Sequence, residues 1–122
     1  MAGLAEAVAQ VLARFQTITY NGAPLRVFDD SNNVNPPCVW VPVPDIEFVF
    51  HKGTLEVDWS AYLVAPNNST LSVSQTLSEL VDAVAGLFPF LEARAVPLNL
   101  QGGGQPNPAY QLTWQSRIKI GA

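Results

Sequence analysis

The stretch that decides the fold is Leu55-Glu56-Val57-Asp58-Trp59-Ser60-Ala61-Tyr62-Leu63-Val64, in which apolar and polar side chains alternate. A period of two places successive side chains on opposite faces of a β-strand. One face carries Val57, Trp59, Ala61 and Leu63, and the other carries Glu56, Asp58, Ser60 and Tyr62. A strand with one apolar and one polar face is typical of an antiparallel sheet that covers a core on one side. We therefore predict a half-buried antiparallel strand over 55–64.

Two amphipathic helices are predicted, one on each side of this strand in the sequence. Apolar residues recur at helical spacing from Leu4 to Phe15, which predicts a helix over 2–16. A second helix is predicted over 73–88, because Ser72 to Gln75 has the spacing of a capping box and Pro89 follows. We expect the apolar sides of both helices to pack on one face of a sheet.

Further strands are predicted from short runs of β-branched and aromatic residues over 25–28, 38–41, 46–50, 91–100 and 109–120. Pro42 and Pro44 cannot donate to a central ladder, so the chain there lies at a sheet edge or bends away. Asn21-Gly22 predicts a turn in the connector after the first helix, and His51 to Thr54 fits a hairpin turn. Loops are predicted over 29–37, 65–71 and 101–108.

The order of these elements predicts the fold class. Blocks of strands separated from helices favour an α+β fold, with a mainly antiparallel or mixed sheet and two helices packed on it. A chain of 122 residues without an internal repeat or linker fits one domain, 1–122.

The chain carries little charge for its length. Six Lys or Arg and ten Asp or Glu make 13% of the residues, against 48% apolar residues. Soluble domains usually carry about 25% charged residues. Disorder is excluded by the apolar content. The net charge of -4 argues against a protein that binds nucleic acid by neutralising phosphates.

The sequence also bears on the compartment. It contains no apolar run long enough to predict a membrane span, and its N-terminus lacks the basic start and apolar run of a secretory signal. We therefore expect a reducing, cytosol-like compartment.

Catalytic candidates are few. A nucleophilic site needs a Ser or Cys with a base in reach. His51 is the only histidine and falls in the predicted hairpin turn, whereas Cys38 lies in an apolar strand and is expected in the core. A Cys38–His51 pair stays open on sequence alone. Glu56 and Asp58 are expected to form a solvated acidic strip, because an acid–base pair would need burial. We predict that the chain is not an enzyme.

Metal and cofactor motifs are also absent from the sequence. One Cys and one His cannot supply a structural zinc site. The cluster Asp29-Asp30-Ser31-Asn32-Asn33 lacks the central Gly and closing Glu of a calcium loop. Gly102-Gly103-Gly104 has no following Lys-Ser/Thr and is not a phosphate-binding loop. We expect no metal ion and no cofactor.

The shortage of charge is concentrated in three windows. No charged residue occurs between Asp30 and Asp45, between Trp59 and Ser78, or between Arg94 and Arg117. These uncharged windows include predicted loops, which run over protein surfaces. Interface cores are depleted of charge, whereas the surface of a solvated monomer uses charge for solubility. The pattern favours protein–protein assembly over a low-charge monomer.

The order of several segments carries a resemblance to a known family. A helix ending near Phe15 precedes Arg26-Val27-Phe28-Asp29-Asp30, Pro36-Pro37-Cys38-Val39-Trp40-Val41, Ala61-Tyr62-Leu63-Val64-Ala65-Pro66, the helix around Leu77 to Val84, and Pro108-Ala109-Tyr110-Gln111-Leu112-Thr113. In order and spacing, over most of residues 4–118, the chain resembles the small tail terminator proteins of long-tailed phages that infect actinobacteria.

The resemblance implies a structural protein of the virion, in the tail and neck, assembled in the host cytoplasm. Tail terminators form a ring, usually a hexamer, that caps the last ring of major tail protein and stops tube growth. The opposite ring face docks on a head-completion or stopper protein. DNA passes through the ring without specific binding, and no cofactor, catalytic residue or membrane is involved.

Residues for such interfaces are predicted in three surface segments: Asp29, Asp30, Asn32, Asn33, Val34, Pro42, Val43, Pro44, Gly102, Gly103, Gly104 and Gln105. Two alternatives stay open. The chain could be another neck component, a stopper or adaptor protein, since these have similar size and also form rings. It could instead be a small cytosolic enzyme or ligand-binding α+β domain, with a pocket between sheet and helices.

Overall fold

A computed structural model describes residues 3–20, 22–28, 38–48, 53–65, 70–98 and 107–119. In chain order, its helices and strands are α1 (Leu4–Gln16), β1 (Thr19–Tyr20), β2 (Ala23–Pro24), β3 (Val27–Phe28), β4 (Cys38–Trp40), β5 (Asp45–Phe48), β6 (Thr54–Val64), α2 (Thr70–Val84), β7 (Glu92–Leu98) and β8 (Asn107–Lys119). The predicted α+β fold is confirmed. Neither of these helices combines the length and apolarity needed to cross a membrane.

The strand predicted from the alternating stretch is the centre of a six-stranded sheet. The strand order is β3-β4-β6-β8-β7, and β5 also pairs with β6, on the same side as β4. β3 runs parallel to β4, and every other neighbouring pair in this sheet is antiparallel. β6 pairs with β8 along its whole length, from Thr54↔Lys119 to Val64↔Ala109. The sheet is therefore mixed and mainly antiparallel, as predicted.

Both helices cover one face of this sheet. Residues 55, 57, 59, 61 and 63 of β6 are buried, and they share a core with Val11 and Phe15 of α1 and Leu80 and Val84 of α2. Trp114 of β8 stands at the centre of that core. The predicted apolar face of β6 and the packing of both helices on it are thus confirmed. The opposite face, which carries no helix among the described residues, is called the outer face.

The second helix begins and ends earlier than predicted. It spans Thr70–Val84, so Ser72 lies inside the helix and the predicted capping box is wrong. The preceding Asn67-Asn68-Ser69 consists of residue types that also favour a helix start, so the sequence allowed the earlier position. At the other end, Gly86 and Pro89 disfavour helix. The N–H of Leu87 donates to the carbonyl of Val84 (2.9 Å) in a turn that ends the helix.

Other boundaries differ by a few residues. The connector after α1 contains a small hairpin, β1 with β2, that was not predicted, although its turn at Gly22 was. The predicted strand 25–28 is shorter, because the N–H of Leu25 donates to Ile18 (2.8 Å) and continues that hairpin. β5 begins one residue before its prediction. Residues 49–50 and the first two residues of the predicted turn, 51–52, lie outside the described residues.

The prolines interrupt the strand pairing beside β6 as expected. Trp40 pairs with Tyr62 and Asp45 pairs with Asp58, so four residues (41–44) stand opposite three (59–61). The extra residue makes the chain bend away between β4 and β5. This is how Pro42 and Pro44 are accommodated next to a central strand.

Two glycines give opposite predictions for stability. Gly22 has a φ of 77°, and a Cβ added there would meet open space, so Gly22→Ala carries only the backbone cost of about 1–2 kcal/mol. Gly86 has no such φ and the same open space, so Gly86→Ala stabilises by roughly 0.4–1 kcal/mol. Urea unfolding followed by circular dichroism measures both. Shifts of the same sign would contradict the described backbone.

Candidate functional site

Of the predicted interface residues, the structure describes Pro42, Val43 and Pro44. Val43 is 86% exposed, Pro42 is half-buried and Pro44 is buried. Val43 is therefore the member of this segment that offers surface to a partner. The predicted residues in 29–34 and 102–105 lie outside the described residues.

Of the residues considered for catalysis, those that the structure describes are buried or paired with other side chains. Cys38 is fully buried, as predicted, and His51 lies outside the described residues. On the outer face, Glu56 forms an ion pair with Arg117 (3.3 Å) and Asp58 accepts a hydrogen bond from the amide of Gln115 (2.7 Å). Within the described ranges, no group of three His, Cys, Asp or Glu side chains could hold a metal ion. The carboxylates of Glu56 and Asp58 thus each have a partner of their own, and they belong to a polar strip on the outer face.

The uncharged windows meet at one end of the sheet. The chain enters this end at Cys38, leaves it at Ala65 and turns back there between Leu98 and Asn107, since Cys38 and Ala109 both pair with Val64. No charged residue occurs in 38–44, 59–65 or 107–116. We call this the uncharged end of the sheet after these three strands; Arg26, just before β3, and Arg94, on β7, flank it. The sequence predicted three charge-poor segments, and the topology brings their ends together.

The outer face at the uncharged end is apolar. Cys38, Val64 and Ala109 are buried there, with Phe28, Tyr62, Val96 and Leu98 packed around them. The ring of Trp40 stacks on that of Tyr62, with 5.0 Å between their centroids. The indole N–H of Trp40 is buried and has no acceptor within the described part of the chain. A buried donor of this kind costs roughly 1–3 kcal/mol, which an acceptor from outside would recover.

The opposite half of the same strands carries the charge. Asp45 and Glu47 of β5, Glu56 and Asp58 of β6, and Arg117 of β8 all lie there, by their pairing register. The two ends of the sheet therefore present different chemistry. One is apolar in its three central strands, and the other carries four carboxylates and Arg117, of which Glu56 and Arg117 form an ion pair.

Large exposed apolar side chains mark the β5 and β7 edges of the sheet. Among the described residues they are Val43 (86% exposed), Phe48 (82%) and Leu91 (66%). Val43 precedes β5, Phe48 ends β5, and Leu91 immediately precedes β7 at the other edge. Sequence reasoning identified Val43 but missed Phe48 and Leu91. A Phe or Leu in a predicted strand is equally compatible with a buried and an exposed position. Their exposure follows from the strand order.

A cavity of about 330 Å³ lies between α1 and the sheet. Trp59, Trp114 and Phe88 provide aromatic walls, and the guanidinium carbon of Arg14 stands 4.6 Å from the centre of the Phe88 ring. The indole N–H of Trp59 donates to the hydroxyl of Ser116 (2.8 Å) at its rim. The cavity could accept a small planar apolar group with an anionic end, since Arg14 is the cation beside it.

No known protein family, curated protein or solved structure matches this chain significantly. The surfaces described above therefore carry the functional inference. They are an apolar end, a charged end and two edges with exposed apolar side chains.

Proposed function

We propose that the chain is a phage tail terminator: copies of it form a closed ring that caps the tail tube, stops its polymerisation and joins tail to head. The observation that carries the proposal is the meeting of the uncharged windows at one end of the sheet. An apolar end suits burial against another protein, because the three central strands bring no charge there that would have to lose its hydration.

The difference between the two ends supports the same role. A protein that stops a polymer must accept the growing end on one face and offer no copy of that end on the other. The apolar end and the charged end around Glu56 and Arg117 differ in the way that this requirement calls for, which supports the proposal. Ring closure further requires heterologous contacts, in which each copy uses two different surfaces. The two edges that carry Phe48 and Leu91 are such surfaces.

The proposed ring has the partners that the resemblance implied. Six copies would contact one another at their edges, the major tail protein on one ring face and a head-completion protein on the other. DNA would pass through the ring, and the net charge of -4 is compatible with weak phosphate contact. The proposed location is the virion, at the junction of tail and neck, and the proposed role includes no catalysis.

Charged substitutions in the three predicted interface segments test this function. Val34→Lys, Val43→Lys and Gln105→Lys are each expected to reduce ring assembly or tail joining about tenfold or more, because burying a lysine costs more than about 1.4 kcal/mol. The readout is the length of purified tail tubes, grown from major tail protein with and without the chain, in electron micrographs.

Ser78→Lys is the matched control, since Ser78 is exposed on α2 and is not part of these segments. It is expected to cap tubes as the unmodified chain does. Normal capping and joining by all three interface variants would contradict the proposed surfaces.

The cavity between α1 and the sheet supports a second candidate function, a small ligand-binding domain. Its volume of about 330 Å³ is at the lower limit for small-molecule sites. This candidate predicts a monomer or dimer whose solution mass does not change when tail tubes are added. The terminator predicts a ring, either in solution or on the tube.

A further inference from the structure

β8 extends beyond its neighbour β7. It spans Asn107–Lys119, whereas its pairing with β7 stops at Thr113. The N–H of Leu91 donates to the carbonyl of Thr113 (2.7 Å), and past this bond no described strand continues beside β8 on that side. Residues 114–119 therefore form an open edge in line with β7. We call this open edge the β8 notch.

The backbone at the β8 notch carries hydrogen-bonding groups at known positions. The N–H of Ala65 donates to the carbonyl of Pro108 (3.0 Å), so the backbone of Pro108 faces β6. Because the direction alternates along an antiparallel strand, even-numbered residues of β8 face β6 and odd-numbered residues face the other way. Gln115 and Arg117 therefore point their backbone N–H and C=O groups into the notch. Such groups at a sheet edge are a template for an added strand.

The cavity between α1 and the sheet opens onto this notch. Its lining includes Gln115, Ser116 and Ile118 of β8. The side chain of Gln115 donates to Asp58 on the outer face, so the part of Gln115 that borders the cavity is its backbone, at the open edge. The cavity volume of about 330 Å³ exceeds the roughly 150 Å³ in which an apolar cavity binds benzene. An aromatic side chain that enters from the notch therefore has room in the cavity.

The two faces of the notch offer different contacts to an added strand. Ser116 and Ile118 lie on the helix side, since they pair with buried residues of β6. Arg117 lies on the outer face, where its side chain is 67% exposed and pairs with Glu56. Exposed ion pairs contribute little to stability, so Arg117 is able to contact a second carboxylate. Arg14 is a second cation beside the cavity, and no carboxylate belongs to the described lining of that cavity.

We propose that the β8 notch binds an extended segment of another protein, which adds as a strand antiparallel to β8. An acidic side chain of the segment lies opposite Arg117, and the next residue places an aromatic side chain opposite Ser116, in the cavity, because neighbouring side chains point to opposite faces. The residue opposite Gln115 is uncharged, since Asp58 and Glu92 lie near that position by their pairing register. The site belongs to one copy of the chain and does not depend on the proposed ring.

An exposed leucine stands at the end of the notch. Leu91 is 66% exposed and immediately precedes β7, so it closes the notch on that side. A segment that fills the notch ends against this side chain and removes part of it from water. The notch thus combines open backbone groups with a cavity for an alternate side chain, as sites that bind an added strand do.

A short peptide tests the site on the folded chain, without any tail component. The probe is the acetylated and amidated peptide Thr-Val-Glu-Phe-Thr, which places its Glu opposite Arg117 and its Phe opposite Ser116. Binding is followed by two-dimensional NMR of the isotope-labelled chain. We expect a Kd of about 1 mM or lower, with shifts at the backbone amides of Gln115 and Arg117. Shifts of the indole N–H groups of Trp59 and Trp114 are expected to report the Phe ring in the cavity, which both tryptophans line.

Two further peptides and two variants separate the contacts. Thr-Val-Lys-Phe-Thr is expected to bind about fivefold more weakly than the probe, and Arg117→Glu is expected to reverse this preference. Thr-Val-Glu-Ala-Thr is expected to bind more weakly and to leave the indole signals in place. Ser78→Lys is the matched control and is expected to bind the probe as the unmodified chain does. Circular dichroism confirms that both variants are folded.

The outcomes decide the proposal independently of the tail. No shift at about 5 mM probe would overturn the site, since a Kd near 1 mM would leave most of the chain bound at that concentration. Shifts confined to β5 or β7 would place the added strand at another edge. Equal binding of the Glu and Lys peptides, or of the Phe and Ala peptides, would also contradict the proposed contacts. Because the titration contains no tail component, its result stands whether or not the chain ends tail growth.

Discussion

Trp114→Ala is expected to lower the free energy of unfolding by about 3–5 kcal/mol, as for other buried aromatic residues truncated to alanine. Trp114 is only 2% exposed. Its ring centroid lies 4.8 Å from that of Phe88, 5.2 Å from Phe90 and 5.9 Å from Trp59. Removing it leaves unfilled space where α1, the sheet and the segment after α2 meet, next to the cavity that Trp114 already lines, and the aromatic contacts of its ring are lost.

Urea unfolding followed by far-ultraviolet circular dichroism measures this loss. Phe48→Ala is the matched control, because Phe48 is exposed on the β5 edge, and we expect a change within about 0.5 kcal/mol. Phe15→Leu, which keeps most of the buried volume, is expected to lose less than Trp114→Ala. A loss below about 1 kcal/mol for Trp114→Ala would contradict the described core.

The same pair of residues separates folding from assembly. Trp114 stabilises a single copy, whereas Phe48 contributes almost no buried surface to it. A stable fold therefore does not require the edge residues. Effects of Phe48 variants on the proposed ring would then report contacts between copies.

The central strand and the first helix could be predicted from sequence because their signals are local. Alternation over 55–64 placed Val57, Trp59, Ala61 and Leu63 on the buried face, and the helical spacing from Leu4 to Phe15 gave α1 to within two residues of its start. Both patterns depend only on the period of side chains along one element.

The start of α2 was missed because polar residue types that favour an N-cap occur at several neighbouring positions. Asn67-Asn68-Ser69 competes with Ser72 for that role, and no local pattern decides between them. The helix begins at Thr70. Packing of Leu77, Leu80 and Val84 against the sheet fixes the body of the helix but not its first turn.

The candidate surfaces were predictable only in part. Charge-poor segments are visible in the sequence, and Val43 was found through one of them. The exposure of Phe48 and Leu91 depends on which strands form the edges, a property of long-range pairing. The partners of Glu56 and Asp58 likewise come from β8, in the last part of the chain. A pattern within one strand contains no information about them.

Tail length is the second large effect that we expect. In a terminator, the ring is the step that ends polymerisation, so its loss leaves the growing end of the tube open. For the proposed terminator, disrupting the gene in the phage that encodes it is therefore expected to give tails that are overlong and variable in length, together with heads that lack tails. Expression of the unmodified chain or of Ser78→Lys in the host is the control and is expected to restore uniform length.

The measurement that tests the proposed role most directly is the distribution of tail lengths in electron micrographs of such lysates. For a terminator, we expect a broad distribution extending well beyond the normal tail length. Unattached tails of normal length would assign the chain to a stopper or adaptor instead, and intact virions with normal tails would contradict a role in tail completion.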